Sequence, residues 1–312
     1  MERKRQGSDG RSRRRRWLRL RPVHLAVGFI AIAATVLSGV TATGASLARL
    51  STCNDATFIA IAGSGQYYKS DTDLSISPQL QTAHQSFVAR LAGRRSLALK
   101  VLDYPAPSVD VLFANVNLNR PLSLPGTIQK NVSTYLAGKD TGVAQLWATY
   151  TQVRASCPSE RIVLAGYSQG AMVVHQFLEE LNATTDTAGK AAVRGVILLA
   201  DPDRVHHSLI VDFGDAPFSS YGVCDLVSKA VSCTSPDRLT DIPGRFDSVT
   251  IGVCFSDDPV CDTSDVVREF IFNTNTGRRA LISLVQRVHA SYAYRSQTSL
   301  AAARIAQLVA AR

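Results

Sequence analysis

Five short runs of apolar and β-branched residues punctuate the chain: 56–62 (ATFIAIA), 97–103 (LALKVLD), 161–167 (RIVLAGY), 194–200 (RGVILLA) and 248–254 (SVTIGVC). Their length and lack of helical periodicity predict strands buried on both faces. Between and after them, apolar side chains recur at helical spacing near 78–93, 140–156, 169–182, 264–288 and 297–311. Strands alternating with helices predict an α/β three-layer sandwich, with a central, mainly parallel five-stranded sheet covered on both faces. In such a sheet, functional groups collect in the loops beyond the carboxyl ends of the strands. Ser64, Ser168 and Asp258 all fall at that edge.

Charge adds a second feature. The formal net charge is +9, but residues 1–22 hold ten Lys/Arg and two acids, so the remainder is nearly neutral. No basic surface is left to explain in the body, and a nucleic-acid partner is not expected. An uncharged stretch from Val23 to Ala48 follows the basic block, with small residues at Val40/Ala42, Thr43/Ala45 and Ser46/Ala48 offering peptidase sites. Residues 1–22 thus read as a cytoplasmic basic region. Residues 23–48 read as the apolar region of a signal peptide or, if uncleaved, a transmembrane anchor. Residues 49–312, roughly 260 in all, suffice for one α/β domain, expected to be monomeric, secreted or held at the cell envelope.

All six cysteines (Cys53, Cys157, Cys224, Cys233, Cys254 and Cys261) lie in the exported part. An even number in an oxidising compartment predicts three disulfides, for which sequence permits fifteen connectivities. Two close pairs, Cys224 with Cys233 and Cys254 with Cys261, suggest local loops and leave Cys53 for Cys157. No Cys-x-x-Cys or clustered Cys/His spacing points to a metal, and neither a metal nor an organic cofactor is expected.

The candidate chemistry centres on Gly166-Tyr167-Ser168-Gln169-Gly170, a G-x-S-x-G run between a strand pattern and a helix pattern. A strand turning abruptly into a helix lifts a serine hydroxyl clear of the sheet, so Ser168 is the candidate nucleophile. A serine needs a general base, and the base needs an acid to hold its tautomer. In this fold type the order is nucleophile, acid, then His. Asp258 lies in the short loop bounded by Cys254 and Cys261, with Asp257 as competitor. His206 and His207 follow Asp201 and Asp203 after the fourth strand, and His289 lies in the final quarter. An oxyanion needs preorganised donors. The N–H of Gln169 offers one, and the loop Ala62-Gly63-Ser64-Gly65-Gln66 is small enough to bring another.

These blocks together resemble the cutinases, secreted serine esterases that also include acetylxylan esterases and actinobacterial cutinase-like lipolytic enzymes. The resemblance covers nearly all of 53–295. G-Y-S-Q-G has the family's own form, and Ser168 stands eleven residues after Cys157, as Ser64 does after Cys53. Cys254-Phe255-Ser256-Asp257-Asp258-Pro259-Val260-Cys261 matches C-x-x-x-D-x-V-C, and His289-Ala290-Ser291-Tyr292 matches H-x-x-Y. The resemblance implies a cutinase-like α/β-hydrolase fold and a triad of Ser168, Asp258 and His289. It also implies an oxyanion hole from Ser64 and Gln169, and disulfides Cys53–Cys157 and Cys254–Cys261. The implied partner is an ester substrate carrying a lipid, polyester or envelope acyl chain, with membrane contact through the N-terminal segment if it is retained. Phospholipase, thioesterase or acyltransferase action would use the same groups, and a non-catalytic envelope-binding protein could share the scaffold. Two departures stand out: the oxyanion loop has no arginine where many relatives carry A-R-G-S, and residues 203–247 form a longer connection than in compact fungal cutinases. That connection is either a binding flap or a stapled surface excursion.

Overall fold

The computed structural model describes residues 53–66, 76–113, 124–224, 241–263 and 287–311. Five of the strands are those anticipated from the apolar runs: β1 (Ala56–Ile61), β2 (Leu97–Val101), β3 (Arg161–Tyr167), β4 (Val193–Leu199) and β6 (Thr250–Val253). The sheet nevertheless has six strands, because a two-residue strand, β5 (Val211–Asp212), pairs in parallel with β6 through Val211 and Ile251. Two half-exposed residues carry no periodic signal, and only the neighbouring β6 backbone makes them a strand. The order is β2-β1-β3-β4-β6-β5 with every pairing parallel.

Alternation along the buried strands builds two cores. On one face, Phe58 and Ala60 of β1, Val163 and Ala165 of β3, and Ile197 and Leu199 of β4 pack beneath α1 (Pro78–Leu91) and the C-terminal helix, Ser296–Ala311. On the other, Ile59, Ile61, Leu164 and Leu198 meet α3 (Leu124–Ser156) and α4 (Gln169–Ala183). A strand with both neighbours and both faces covered has no polar side, which explains the continuous apolar runs. In α1, Ser77 and Pro78 occupy the N-cap and first helical positions, and Leu80, Ala83, Phe87 and Leu91 form the buried stripe.

Two shorter helices, α2 (Asp110–Phe113) and α5 (Thr187–Ala192), complete the described α-helices before the C-terminal one, α6. Helix α3 begins sixteen residues earlier than its periodicity suggests. Its first half holds Pro125, Gly126, Gly138 and several β-branched residues, which weaken the pattern, while tertiary contacts such as buried Tyr135 sustain the helix. The helical pattern at 264–286 and the N-terminal basic and apolar segments lie outside the described residues. Among the described residues no helix is long and apolar enough to cross a membrane.

Among the described residues two disulfides form, Cys53–Cys157 and Cys254–Cys261. The first ties the start of β1 to the end of α3, and the second closes the loop after β6. Cys224 is buried, and its suggested partner Cys233 lies outside the described residues.

Candidate active site

The turn between β3 and α4 sets the geometry. Ser168 adopts φ 53° and ψ −119°, a left-handed conformation that side chains rarely take, while its N–H donates to Leu199 O at 2.8 Å and its carbonyl accepts from Ala171 N at 2.8 Å. Such a conformation costs about 1–3 kcal/mol and is held by the surrounding backbone bonds. The glycines on either side are required by close approach. A Cβ at Gly166 would collide with the Gly170 carbonyl, and one at Gly170 with the Ile61 carbonyl and, at 2.6 Å, with that of Ala62.

Residues far apart in sequence converge on this serine. His289 Nε2 lies 3.0 Å from Ser168 Oγ, and His289 Nδ1 lies 3.0 and 3.1 Å from the two oxygens of Asp258. Asp258 is fully buried, with Val260 N donating to Oδ1 at 3.0 Å and the Tyr292 hydroxyl to Oδ2 at 2.8 Å. Tyr292 in turn accepts from Phe255 N at 3.1 Å, which leaves its proton for the carboxylate. Burial first, and then the charge of Asp258, push the Tyr167 and Tyr292 phenols well above their ordinary range near 10, so both remain donors. The Tyr167 ring stacks on His289 with centroids 4.9 Å apart, and its hydroxyl donates to His289 O at 2.7 Å. The imidazole is therefore held in both plane and position.

The competing acid and the other described histidines are occupied elsewhere. Asp257 is exposed and its N–H bonds Asp262. His206 and His207 pack edge-on with each other and with Tyr221 and Phe218 in the connection after β4. His84 sits against the Phe58 ring. His175, two turns into α4, pairs with Asp201 at 3.0 Å.

Ser64 lies on the loop after β1 and Gln169 opens α4, and one residue touches both. The Tyr135 hydroxyl is 2.5 Å from Ser64 Oγ, and its carbonyl accepts from Gln169 Nε2 at 3.1 Å. A glutamine relay braces the same loop: Gln66 Oε1 accepts from Gly63 N, Gln66 Nε2 donates to Gln79 Oε1 at 2.8 Å, and Gln79 reaches Ala290 O. Tyr104 adds a 2.5 Å bond from its hydroxyl to Ala62 O. Sequence reading did not single out Tyr135, Gln66, Gln79 or Tyr104. Tyr135 lay outside the helical pattern, and the tyrosine of H-x-x-Y was the one residue of this supporting set with a motif.

The arrangement provides a hydroxyl beside an imidazole whose far nitrogen faces a buried carboxylate, the groups needed for acyl transfer. The cutinase family model matches residues 52–293. A cutinase of Coprinopsis cinerea, CUT1, is 30% identical over 181 residues, covering 56% of this chain and 73% of the relative. A cutinase of Hypocrea jecorina is 32% identical over 110 residues, covering 35% of this chain and 33% of the relative. Among solved structures, a cutinase-like protein from Cryptococcus sp. is 22% identical, covers 80% of this chain and 97% of that one, and has a TM-score of 0.46. With the family model spanning most of its length, the chain belongs to the cutinase family and is a carboxylic ester hydrolase.

Proposed function

We propose that the chain is an exported serine esterase in which Ser168, His289 and Asp258 act together on esters of aliphatic acyl chains, as in lipids or polyesters. Ser168 Oγ attacks the ester carbonyl while His289 Nε2 takes its proton. The imidazolium then protonates the departing alkoxide, leaving an acyl-enzyme. Water, deprotonated by the same nitrogen, releases the acid and restores Ser168. Asp258 keeps the Nδ1 proton in place and stabilises the imidazolium. The N–H groups of Ser64 and Gln169 receive the oxyanion, and the Ser64 hydroxyl adds a third donor.

The observation that carries this reading is the run of 3.0 Å contacts from Ser168 Oγ through His289 to Asp258, with the acid wholly buried and its remaining lone pairs met by Val260 N and Tyr292. Export is supported by the basic and apolar N-terminal segments and by the two disulfides, which persist in oxidising compartments. The test is to incubate the chain with a fluorophosphonate probe and with p-nitrophenyl esters of increasing length, beside Ser168→Ala. Labelling and turnover that vanish in the variant, with butyryl or longer esters preferred, are expected. Retained labelling in Ser168→Ala defeats the serine assignment, and a preference for acetyl esters defeats the aliphatic one.

A further inference from the structure

Behind the elbow helix lies a second group of ionisable side chains that the ester chemistry does not use. His175 on α4 and Asp201 and Asp203 beyond β4 are all buried, and each offers a ligand atom within 4.8 Å of the others. Asp201 is constrained on both sides: Oδ2 meets His175 Nδ1 at 3.0 Å, and Oδ1 accepts from Asp203 N at 3.0 Å. Asp203 is different. Only 1% of it is exposed, yet among the described residues neither carboxylate oxygen has a hydrogen-bond partner of ordinary geometry; Cys224 beside it is a weak donor. One turn beyond His175, a buried oxygen of Glu179 is similarly unmatched. A carboxylate taken out of water without donors is costly, and natural proteins keep such groups paired or bound to a metal.

Among the described residues the cations that act on this cluster are His175 and Lys139, and Lys139 also holds Asp140 at 2.8 Å. The nearby Arg204 is bound to Asp212 at 3.1 Å. A cavity of about 30 Å³ borders His175 and Asp201, room for a water to complete the coordination.

We infer that His175, Asp201 and Asp203 form a structural site for a divalent transition metal, with Zn²⁺ or Mn²⁺ best suited to one imidazole and two carboxylates. The ion would fasten α4 to the exit of β4. It would also fasten the segment that Gly222 and Cys224 lace to that exit through bonds to Arg204 O and Pro202 O. Binding at a ring nitrogen releases a proton, so affinity rises with pH. The site takes no part in ester cleavage and stands or falls independently of it.

The test uses the full chain without an affinity tag, stripped with dipicolinate and titrated calorimetrically with Zn²⁺, Mn²⁺ and Ca²⁺ separately, beside Asp203→Asn and His175→Gln. Expected are one Zn²⁺ or Mn²⁺ per chain, weaker Ca²⁺ binding because imidazole suits it poorly, a higher Tm on loading, and affinity lowered by about a hundredfold in either variant. Unchanged labelling of Ser168 by the fluorophosphonate shows that the variants are folded. Should a variant fail to fold, Co²⁺ on the wild-type chain decides: an intense visible band of a low-coordinate site supports the inference, and the pale spectrum of the aquo ion overturns it. Absence of saturable binding, meaning that protons alone hold the cluster, overturns it. So does undiminished binding in both folded variants, which would assign the metal to surface groups such as His206 and His207.

Discussion

Replacing Asp258 by Asn changes one oxygen to an NH₂ group at nearly constant volume, so its effect can be followed atom by atom. Oδ1 accepts from Val260 N, and a backbone donor cannot be reversed; the amide oxygen must therefore remain on that side. The amide nitrogen then occupies the position of Oδ2, facing Tyr292 Oη and His289 Nδ1. Tyr292 can adjust by accepting the amide proton and turning its own hydrogen to Cys261 Sγ, 3.3 Å away. His289 Nδ1 then faces the new NH₂ at 3.0 Å and the retained oxygen at 3.1 Å. The NH₂ donates to a bare Nδ1 and repels a protonated one, which favours the tautomer whose hydrogen sits on Nε2 and points at Ser168 Oγ. A protonated Nε2 cannot act as base. Serine hydrolases with this tautomer reversal lose about 10³–10⁴ in turnover, equivalent to about 4–5.5 kcal/mol of barrier. Steady-state kinetics on p-nitrophenyl butyrate would measure the loss, with urea unfolding to confirm the fold. Asp257→Asn serves as control and should stay within about twofold of wild type, because that side chain is exposed. Turnover of Asp258→Asn within tenfold of wild type would refute the orientation argument.

Three further outcomes are expected. Tyr135→Phe removes the bond to Ser64 Oγ while keeping the ring, and should lower kcat about three- to tenfold with little change in KM, as read by steady-state kinetics. Gly170→Ala should cost about 3 kcal/mol in urea unfolding, since its Cβ meets the backbone carbonyls of Ile61 and Ala62, which cannot give way as a side chain could. Removing Cys53–Cys157, which spans 104 residues, should cost up to about 4.7 kcal/mol of stability and leave kcat near wild type below the melting range. Removing Cys254–Cys261 should cost less stability but more turnover, because that loop holds Asp258; calorimetry paired with kinetics separates the two.

Amino-acid order alone determined the strands and most helices. A strand covered on both faces must be apolar throughout, and a helix buried on one face must repeat every three to four residues; both constraints are written locally. The elbow was equally legible, since G-x-S-x-G between a strand and a helix leaves the backbone little choice. The quoted blocks around Cys53, Ser168, Cys254 and His289 carried the resemblance that marked Asp258 and His289. Tertiary structure decided the rest. Parallel register carries the ends of β3 and β6, and with them Ser168 and Asp258, to one edge, where packing on Tyr167 holds His289 beside a serine 121 residues away. Strand β5 exists only because β6 offers its edge, the first half of α3 is helical because of what it packs against, and Tyr135 gains its place at Ser64 from that packing. His175 meets Asp201 and Asp203 for the same reason: no periodicity or motif links a helix interior to the loop beyond the next strand, so their common burial becomes visible only once the chain is folded.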